Sequence, residues 1–202
     1  TEHPNLYQIE VLLAAADGTT DCYREHFGFR EVSIKDCRIC LNGKPVYLRG
    51  FGKHEDTPVN GRGFNQVYIV KDIALLKWIG ANSFRTSHYP YSEEMLDLCD
   101  REGILIIDEA PAVGLHSHFS ATGMLDASGD HKGTWEYMKT ADHHQDVIRD
   151  MVARDKNHPC VILWSVANEP ASEEEGAKEY FEPLLNLVRQ EDPQHRPATL
   201  VT

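Results

Sequence analysis

The sequence predicts an α/β fold: the first half of a parallel (β/α)8 barrel, preceded by the last strands of an all-β sandwich. Residues 1 to about 44 hold short alternating strands and hairpin turns, whereas residues 45–202 alternate strands with helix-period segments. The most informative strand, 160–168, is apolar at six of its first seven positions, as in a parallel sheet buried on both faces. About four and a half β/α units fit after residue 45, so we expect half of an eight-unit barrel.

The N-terminal part is predicted to be β because two hairpin signals separate its strands. Asp17-Gly18 follows an alternating segment, and Asn42-Gly43 is the strongest short hairpin signal in the chain. The predicted strands are 6–13, 22–34 (interrupted at Gly28), 38–41 and 44–48. We expect these strands to close a sandwich domain that spans residues 1–44.

The barrel part alternates strands and helices in order. The predicted strands are 47–51, 82–86, 104–107, 160–168 and 198–201. The predicted helices are 72–79, 92–103, 140–155 and 177–189. Ser92, followed by acidic residues and closed by Gly103, is typical of a capped helix. An open doubly wound sheet is the alternative, but it requires a glycine-rich phosphate turn that the sequence lacks.

Composition restricts the partners of the chain. Of its 202 residues, 41% are hydrophobic and 26% charged, and the net charge is −12 without a basic patch. Nucleic acids and anionic membranes are therefore not expected as partners. No apolar run approaches the roughly 18 residues that cross a membrane, and no secretory signal is visible. The five scattered cysteines predict free thiols in a reducing compartment, so we expect a cytoplasmic protein.

Polar, titratable side chains follow each of the first four predicted barrel strands. The carboxyl ends of barrel strands lie on one face, where catalysis takes place, so we expect one dense cluster there. Its candidate residues are His54, Arg85, His88, Asp108, Glu109, Asn168 and Glu169. Taken singly, Glu169 could be a solvated strand end, His88 a core histidine and Arg85 the neutralising partner of a buried carboxylate.

Two motifs make the chain recognisable. Residues 82–90, with Asp100 and the strand that follows Gly103, resemble the first signature of glycoside hydrolase family 2. Residues 155–159, leading to Asn168-Glu169, resemble its second signature. The resemblance implies the end of an immunoglobulin-like sandwich at 1–44 and the first half of a TIM-barrel catalytic domain at 45–202. The sequence at residues 52–56 is most similar to that of members that cleave β-D-glucuronides.

The family resemblance also implies a mechanism and a set of roles. Retaining members use double displacement with two carboxylic acids. Glu169 matches the general acid/base, and Asn168 matches the residue that binds the sugar 2-hydroxyl. His54 and His88 are expected to contact the sugar, Arg85 to keep a partner carboxylate ionised, and Asp108 and Glu109 to support the rim. The nucleophile and the residues that grip a glucuronate carboxylate are expected beyond Thr202, and no cofactor is expected.

Some alternatives remain open at this point. The chain could belong to a member with another specificity, for galactosides or galacturonides, or it could be a non-catalytic sugar-binding remnant. By resemblance, the full-length protein is expected to be a homo-oligomer, such as a tetramer.

The region after the third barrel strand needs a separate interpretation. Two of its histidines have a spacing that occurs in zinc sites, but no matched Glu or Cys accompanies them, and the adjacent histidines on the next helix point apart, so we expect no metal there. The histidines concerned are His116, His118, His131, His143 and His144. A loop beside the pocket is the preferred interpretation, with Phe119 and Trp135 facing the aglycone or packing the loop down. Glu173–Glu175 is expected to be a solvated helix start.

Overall fold

The computed structural model describes residues 3–116 and 133–202. Its strands are β1 Tyr7–Ala14, β2 Thr20–Phe27, β3 Val32–Lys35, β4 Arg38–Leu41, β5 Lys44–Pro45, β6 Gly50–Lys53, β7 Ser83–Thr86, β8 Leu105–Glu109, β9 Val161–Asn168 and β10 Ala198–Val201. Its helices are α1 Gln66–Trp78, α2 Glu93–Glu102, α3 Thr134–Tyr137, α4 Ala141–Asp155 and α5 Ala177–Glu191. Over these two ranges, no helix combines the length and the apolar character that crossing a membrane would require.

The central sheet is parallel and follows chain order. Strands β6, β7, β8, β9 and β10 lie side by side in that sequence, and each neighbouring pair runs parallel. Helices connect the successive strands, so each step is a β/α unit of the kind that closes into a barrel. The predicted fold class, half of a (β/α)8 barrel with strands of a β domain before it, is confirmed.

Alternation along β8 sends its side chains into two different layers. Ile106 joins the main core between the sheet and the helices, together with Trp164 of β9. Leu105 and Ile107 instead pack on the other face of the sheet with Leu163. The same alternation places Asp108 toward the helices and Glu109 toward the concave face, and this decides which carboxylate can reach the site.

Two helices show how local sequence sets their ends. In α2 the Ser92 hydroxyl accepts from the Met95 N–H, and Gly103 ends the helix with a φ of 71°, as predicted. In α1 the helix begins six residues before the predicted start. The reason is Asn65, whose side-chain oxygen accepts from the N–H groups of Val67 and Tyr68 at 3.1 and 3.4 Å.

The three-stranded sheet β3–β5 packs beneath the barrel strands. Its apolar residues contact Leu105, Ile162 and Leu163 at the amino ends of β8 and β9. Those residues are Val32, Ile39, Leu41, Val46 and Leu48. The hairpin predicted at Asn42-Gly43 is confirmed, with φ values of 52° and 72°. The division at residues 44 and 45 stays a prediction.

Two predicted strands are shifted. The returning strand predicted at 44–48 is reduced to β5, although the Val46 N–H after it still donates to the Ile39 carbonyl of β4 at 2.9 Å. The strand predicted at 47–51 forms instead as β6, Gly50–Lys53, whose pairing begins at Gly50 opposite Ser83.

Arg30 joins the N-terminal strands to the barrel. Its Nε donates to the Pro159 carbonyl at 2.9 Å, and its Nη2 donates to the carbonyl of Val161 at 2.7 Å. Burial, helped by the nearby Arg196, lowers the pKa of the guanidinium to about 10, so Arg30 stays charged at neutral pH. This side chain therefore fixes the segment before β3 to the amino end of β9.

Candidate active site

Glu109 lies at the centre of the polar cluster and is fully buried at the end of β8. Its Oε2 accepts from Arg85 Nη1 at 2.9 Å and from Ser165 Oγ at 2.8 Å. Its Oε1 accepts from His88 Nδ1 at 2.7 Å. Three donors from β7, the loop after β7 and β9 compensate the burial of this carboxylate.

Arg85 connects this carboxylate to the end of β9. The same Nη1 donates to Asn168 Oδ1 at 2.7 Å. Because the amide oxygen faces Arg85, the Nδ2 group of Asn168 points its two donors elsewhere. The contact with Arg85 therefore leaves the two amide donors of Asn168 unused.

Gly52 in β6 provides the room that Arg85 occupies. A Cβ at this position would lie 2.7 Å from Ser87 Oγ and 3.2 Å from Arg85 Nη2. Gly52 pairs directly with Arg85 in the sheet register. The absence of a side chain at Gly52 thus allows the Arg85 guanidinium to lie across the concave face.

Glu169 follows Asn168 and projects from the end of β9. Its backbone adopts a left-handed φ of 46°, and its side chain is exposed. Its N–H donates to the Val201 carbonyl of β10 at 2.8 Å, and its own carbonyl accepts from His116 Nε2 at 3.1 Å. Contacts from both sides therefore hold this turn at the rim, with the carboxylate directed to solvent.

The structure brings most of the predicted site residues together. The exposed His54 ring lies 5.3 Å from the His88 ring in an edge-on arrangement. This contact links His54, through His88, Glu109 and Arg85, to Asn168, which directly precedes Glu169. Five of the seven predicted positions therefore form one contiguous group at the carboxyl ends of β6 to β9, and Glu169 adjoins it through the backbone with its side chain exposed.

Asp108 is the exception to that grouping. It is fully buried on the helix-facing side of β8, where its Oδ1 accepts from Thr86 Oγ1 at 3.1 Å. Adjacent strand residues point to opposite faces, so Asp108 cannot share the pocket with Glu109. The expectation that both carboxylates support the same rim is corrected to one on each side of the sheet.

Three contributors to the site were not singled out from the sequence. Ser165 donates to Glu109, Gly52 makes room for Arg85, and His116 holds the Glu169 carbonyl. The signal for Ser165 was available, because a polar residue inside an otherwise apolar strand requires a partner. His116 had been considered only as a metal ligand.

The other histidines have structural surroundings where they are described. His144 is buried, its Nε2 donates to the Val166 carbonyl at 2.8 Å, and its Nδ1 lies 3.2 Å from the Tyr180 hydroxyl. Burial lowers the pKa of His144. His118, Phe119 and His131 lie outside the described residues.

Among the described residues, the one group with metal-ligand spacing is Asp100, His158 and Cys160. The Asp100 oxygens accept from His158 Nδ1 and from the Cys160 N–H, each at 2.7 Å. Burial raises the pKa of the Cys160 thiol well above its ordinary value, which disfavours the thiolate that a metal needs. This group is therefore a hydrogen-bonded connection between α2 and β9.

Trp135 packs α3 onto α5. Its Nε1 donates to the Ala171 carbonyl at 2.9 Å, and its ring lies 4.6 Å from that of Tyr180. Glu174 accepts from the Thr134 N–H at 2.7 Å and from its hydroxyl at 3.0 Å. The expectation of a solvated helix start at Glu173–Glu175 is wrong in two respects. The helix α5 begins only at Ala177, and Glu174 is bound to Thr134.

Five parallel strands in chain order, with buried Glu109 and an Asn-Glu pair at their carboxyl ends, form part of a (β/α)8 barrel of the kind on which glycosidases are built. The chain belongs to glycoside hydrolase family 2, because the model for "Glycosyl hydrolases family 2, TIM barrel domain" matches residues 32–202.

Two similar proteins within that family are both named β-glucuronidase. A β-glucuronidase of Streptococcus agalactiae is 54% identical over 196 residues, covering 97% of this chain and 32% of that protein. One from Rattus norvegicus is 45% identical over 204 residues, covering all of this chain and 29% of that protein. The chain thus spans about a third of the length of these relatives.

Two solved structures that resemble this chain in fold and sequence are also titled β-glucuronidase. The β-D-glucuronidase of Dictyoglomus thermophilum superposes with a TM-score of 0.84 at 48% identity, covering 98% of this chain and 33% of that one. A Bifidobacterium dentium β-glucuronidase complexed with coumarin-3-O-glucuronide gives a TM-score of 0.80 at 46% identity, covering 96% and 30%.

Proposed function

We propose that this chain is the acid/base-bearing part of a retaining β-glucuronidase, with Glu169 as the general acid/base. The observation that carries the proposal is the bridge of Arg85 between buried Glu109 and Asn168, directly before the exposed Glu169. The names of the relatives support the glucuronide as substrate.

The proposed reaction proceeds in two displacements. In the first, Glu169 donates a proton to the glycosidic oxygen while the bond from that oxygen to the anomeric carbon breaks. A nucleophilic carboxylate outside these 202 residues bonds to the anomeric carbon in the same step. In the second, Glu169 takes a proton from water, the water oxygen bonds to the anomeric carbon, and the carboxylate leaves.

The neighbouring residues bind and orient the sugar in this proposal. Asn168 donates from Nδ2 to the 2-hydroxyl, a contact that strengthens in the transition state. His54 and His88 contact the sugar from the β6 and β7 side. Arg85 and Glu109 hold Asn168 and His88 in place, and no cofactor is required.

Substrate preference also depends on groups elsewhere. A net charge of −12 gives no general attraction for an anionic sugar, so local donors must recognise its carboxylate. We place these donors, like the nucleophile, outside the 202 residues.

A panel of nitrophenyl glycosides tests this function on the full-length gene product that contains the chain. We expect kcat/KM for the β-D-glucuronide to exceed that for the β-D-galactoside by at least about a hundredfold, since a carboxylate-binding site strongly rejects a sugar that lacks the group. It should also exceed that for the β-D-galacturonide, which keeps the carboxylate but inverts the 4-hydroxyl. Preference for a galactoside, or binding without turnover of any glycoside, would refute it.

Three broader properties belong to the same proposal. The full-length protein is a homo-oligomer, such as a tetramer, and residues 1–44 and 45–202 belong to separate domains. A cytoplasmic location is supported by the five cysteines, all of which are free. Light scattering of the purified protein tests the oligomeric state, and a monomeric mass would contradict it.

A further inference from the structure

Asp108 occupies a sealed position between β8 and α4. Its side chain has no solvent exposure, and only its Oδ1 accepts a hydrogen bond, from Thr86 Oγ1. The Thr86 oxygen in turn accepts from the Glu109 N–H at 2.9 Å. Within the part of the chain that the structure describes, no donor reaches the second oxygen, Oδ2. An ionised Asp108 would therefore leave half of its charge uncompensated.

The neighbour of Asp108 is a second buried carboxylate. Asp155 at the end of α4 has no exposure, and both of its oxygens accept from Arg154, Nε to Oδ1 and Nη2 to Oδ2, each at 2.7 Å. The negative charge and the carboxyl group of Asp155 both raise the pKa of Asp108, and two carboxyl groups can share a hydrogen bond only if one of them carries a proton. Since Arg154 satisfies the ionised form of Asp155, the proton belongs on Asp108.

We propose that Asp108 is a neutral carboxylic acid in the folded protein, donating its proton to Asp155 and positioning Glu109 through Thr86. The hydrogen bonds then run in one direction, from the Glu109 N–H through the Thr86 hydroxyl and the Asp108 carboxyl to Asp155. This series of hydrogen bonds connects the end of α4 to Glu109, the residue that anchors Arg85 and His88. Burial, followed by the negative charge of Asp155, raises the pKa of Asp108 in agreement with this assignment.

The proposal has a defined pH dependence. The groups that face Asp108 are Asp155 and Arg154 from α4, the Thr86 hydroxyl from β7 and the nearby Cys160 thiol at the start of β9. Above a pH of about 4 the unfolded chain releases the Asp108 proton while the folded chain keeps it. The folded state therefore loses stability with rising pH, and Asp108→Asn removes that loss. The ratio of the wild-type unfolding constant to that of Asp108→Asn should rise by up to about tenfold per pH unit.

Infrared spectroscopy of the full-length protein tests the protonation state directly. The spectrum of the wild type at pH 7 should contain a carboxylic C=O band that Asp108→Asn lacks. The exposed Asp142 on α4 supplies the matched control, and Asp142→Asn should keep the band. The thermal midpoint of Asp108→Asn should also rise relative to the wild type between pH 5 and pH 8. An unchanged infrared band in Asp108→Asn, or a midpoint difference that stays constant with pH, would overturn the assignment.

The positioning role is tested separately, and this part alone rests on the proposed function. Asp108→Leu cannot accept from Thr86 and should lower kcat about tenfold, with Asp108→Asn restoring most of it. Thr86→Val should lower kcat similarly, and Thr86→Ser should restore it. Equal kcat in all four variants would refute positioning. Absence of activity in every protein, the wild type included, would instead refute the proposed function and leave the infrared result standing.

Discussion

Asp108 and Glu109 are adjacent carboxyl groups with opposite surroundings. Glu109 receives three donors on the concave face, whereas Asp108 receives one and faces another carboxylate. The sequence predicted both as candidates because they end the same strand. Strand alternation could have separated the two residues, but not identified their partners, which come from β7, β9 and α4.

Gly52 provides a test of the cluster at the level of one residue. Gly52→Ala should push Arg85 away from Asn168, because the new Cβ would lie 3.2 Å from Arg85 Nη2 and 2.7 Å from Ser87 Oγ. We expect kcat of the full-length enzyme to fall at least about tenfold, since small displacements of positioning groups are costly. The measurement is steady-state kinetics on an aryl glucuronide.

Gly133 is the matched control for this substitution. Among the residues that the structure describes, a Cβ there meets nothing closer than Glu174 Oε2 at 3.6 Å, and the φ of −59° suits any residue. Gly133→Ala should behave like the wild type. A Gly52→Ala enzyme with normal kcat would show that the Arg85 position is not needed.

At the scale of elements, short-range signals predicted the presence of the helices and strands better than the residues at which they begin and end. Ser92 and Gly103 delimit α2 as predicted, because both caps act within one turn. The N-terminal half of α1 was missed because its residues Val67 and Val70 are exposed and blur the helical periodicity. The position of β6 depends on its pairing with β7, more than thirty residues away, which no local pattern encodes.

His144 shows how α4 is fixed to β9 and gives a pH-dependent prediction. Its pKa is lowered by burial, so below about pH 6.5 the unfolded chain binds a proton that the folded chain resists. The contribution of His144 to stability should therefore fall as the pH drops from 7.5 to 5.5, which is opposite in sign to the contribution of Asp108. His144→Gln cannot ionise and should show a smaller drop in thermal midpoint over this range.

The adjacent His143 is exposed and serves as the control. His143→Gln should keep most of the wild-type pH dependence, because His143 is the weakest of the causes that lower the pKa of His144. If both variants lose stability with pH as the wild type does, His144 is not the group that titrates.

At the scale of the whole molecule, the sequence predicted a β part followed by barrel units, but not how they join. Arg30 makes that connection through carbonyls 129 and 131 residues further along the chain. Nothing near Arg30 in the sequence distinguishes it from an exposed arginine such as Arg24. Contacts of this range appear only once the fold is known.

Arg30 also yields a stability prediction. Arg30→Lys keeps the charge but cannot reproduce the bonds from Nε and Nη2, so the free energy of unfolding should fall by about 1.5–3 kcal/mol. Arg24→Lys, at an exposed ion pair with Glu10, should change it by less than about 1 kcal/mol. Denaturant titration of both variants measures the difference, and equal losses would contradict the proposed connection.

The 202-residue chain by itself should not turn over glycosides, because the proposed nucleophile is not among its residues. Incubation of the purified chain with an aryl β-D-glucuronide should release no aglycone above a heat-treated control. Sustained release would mean that a carboxylate within these residues acts as the nucleophile.

The central claim, that Glu169 is the general acid/base, is tested most directly by the leaving-group dependence of Glu169→Gln in the full-length enzyme. Protonation matters for poor leaving groups and little for activated ones. We predict that kcat/KM falls by about 10²–10⁴ for an alkyl glucuronide and by far less for a dinitrophenyl glucuronide, while the exposed-site control Glu173→Gln retains both. An equal loss on the two substrates would contradict the assignment.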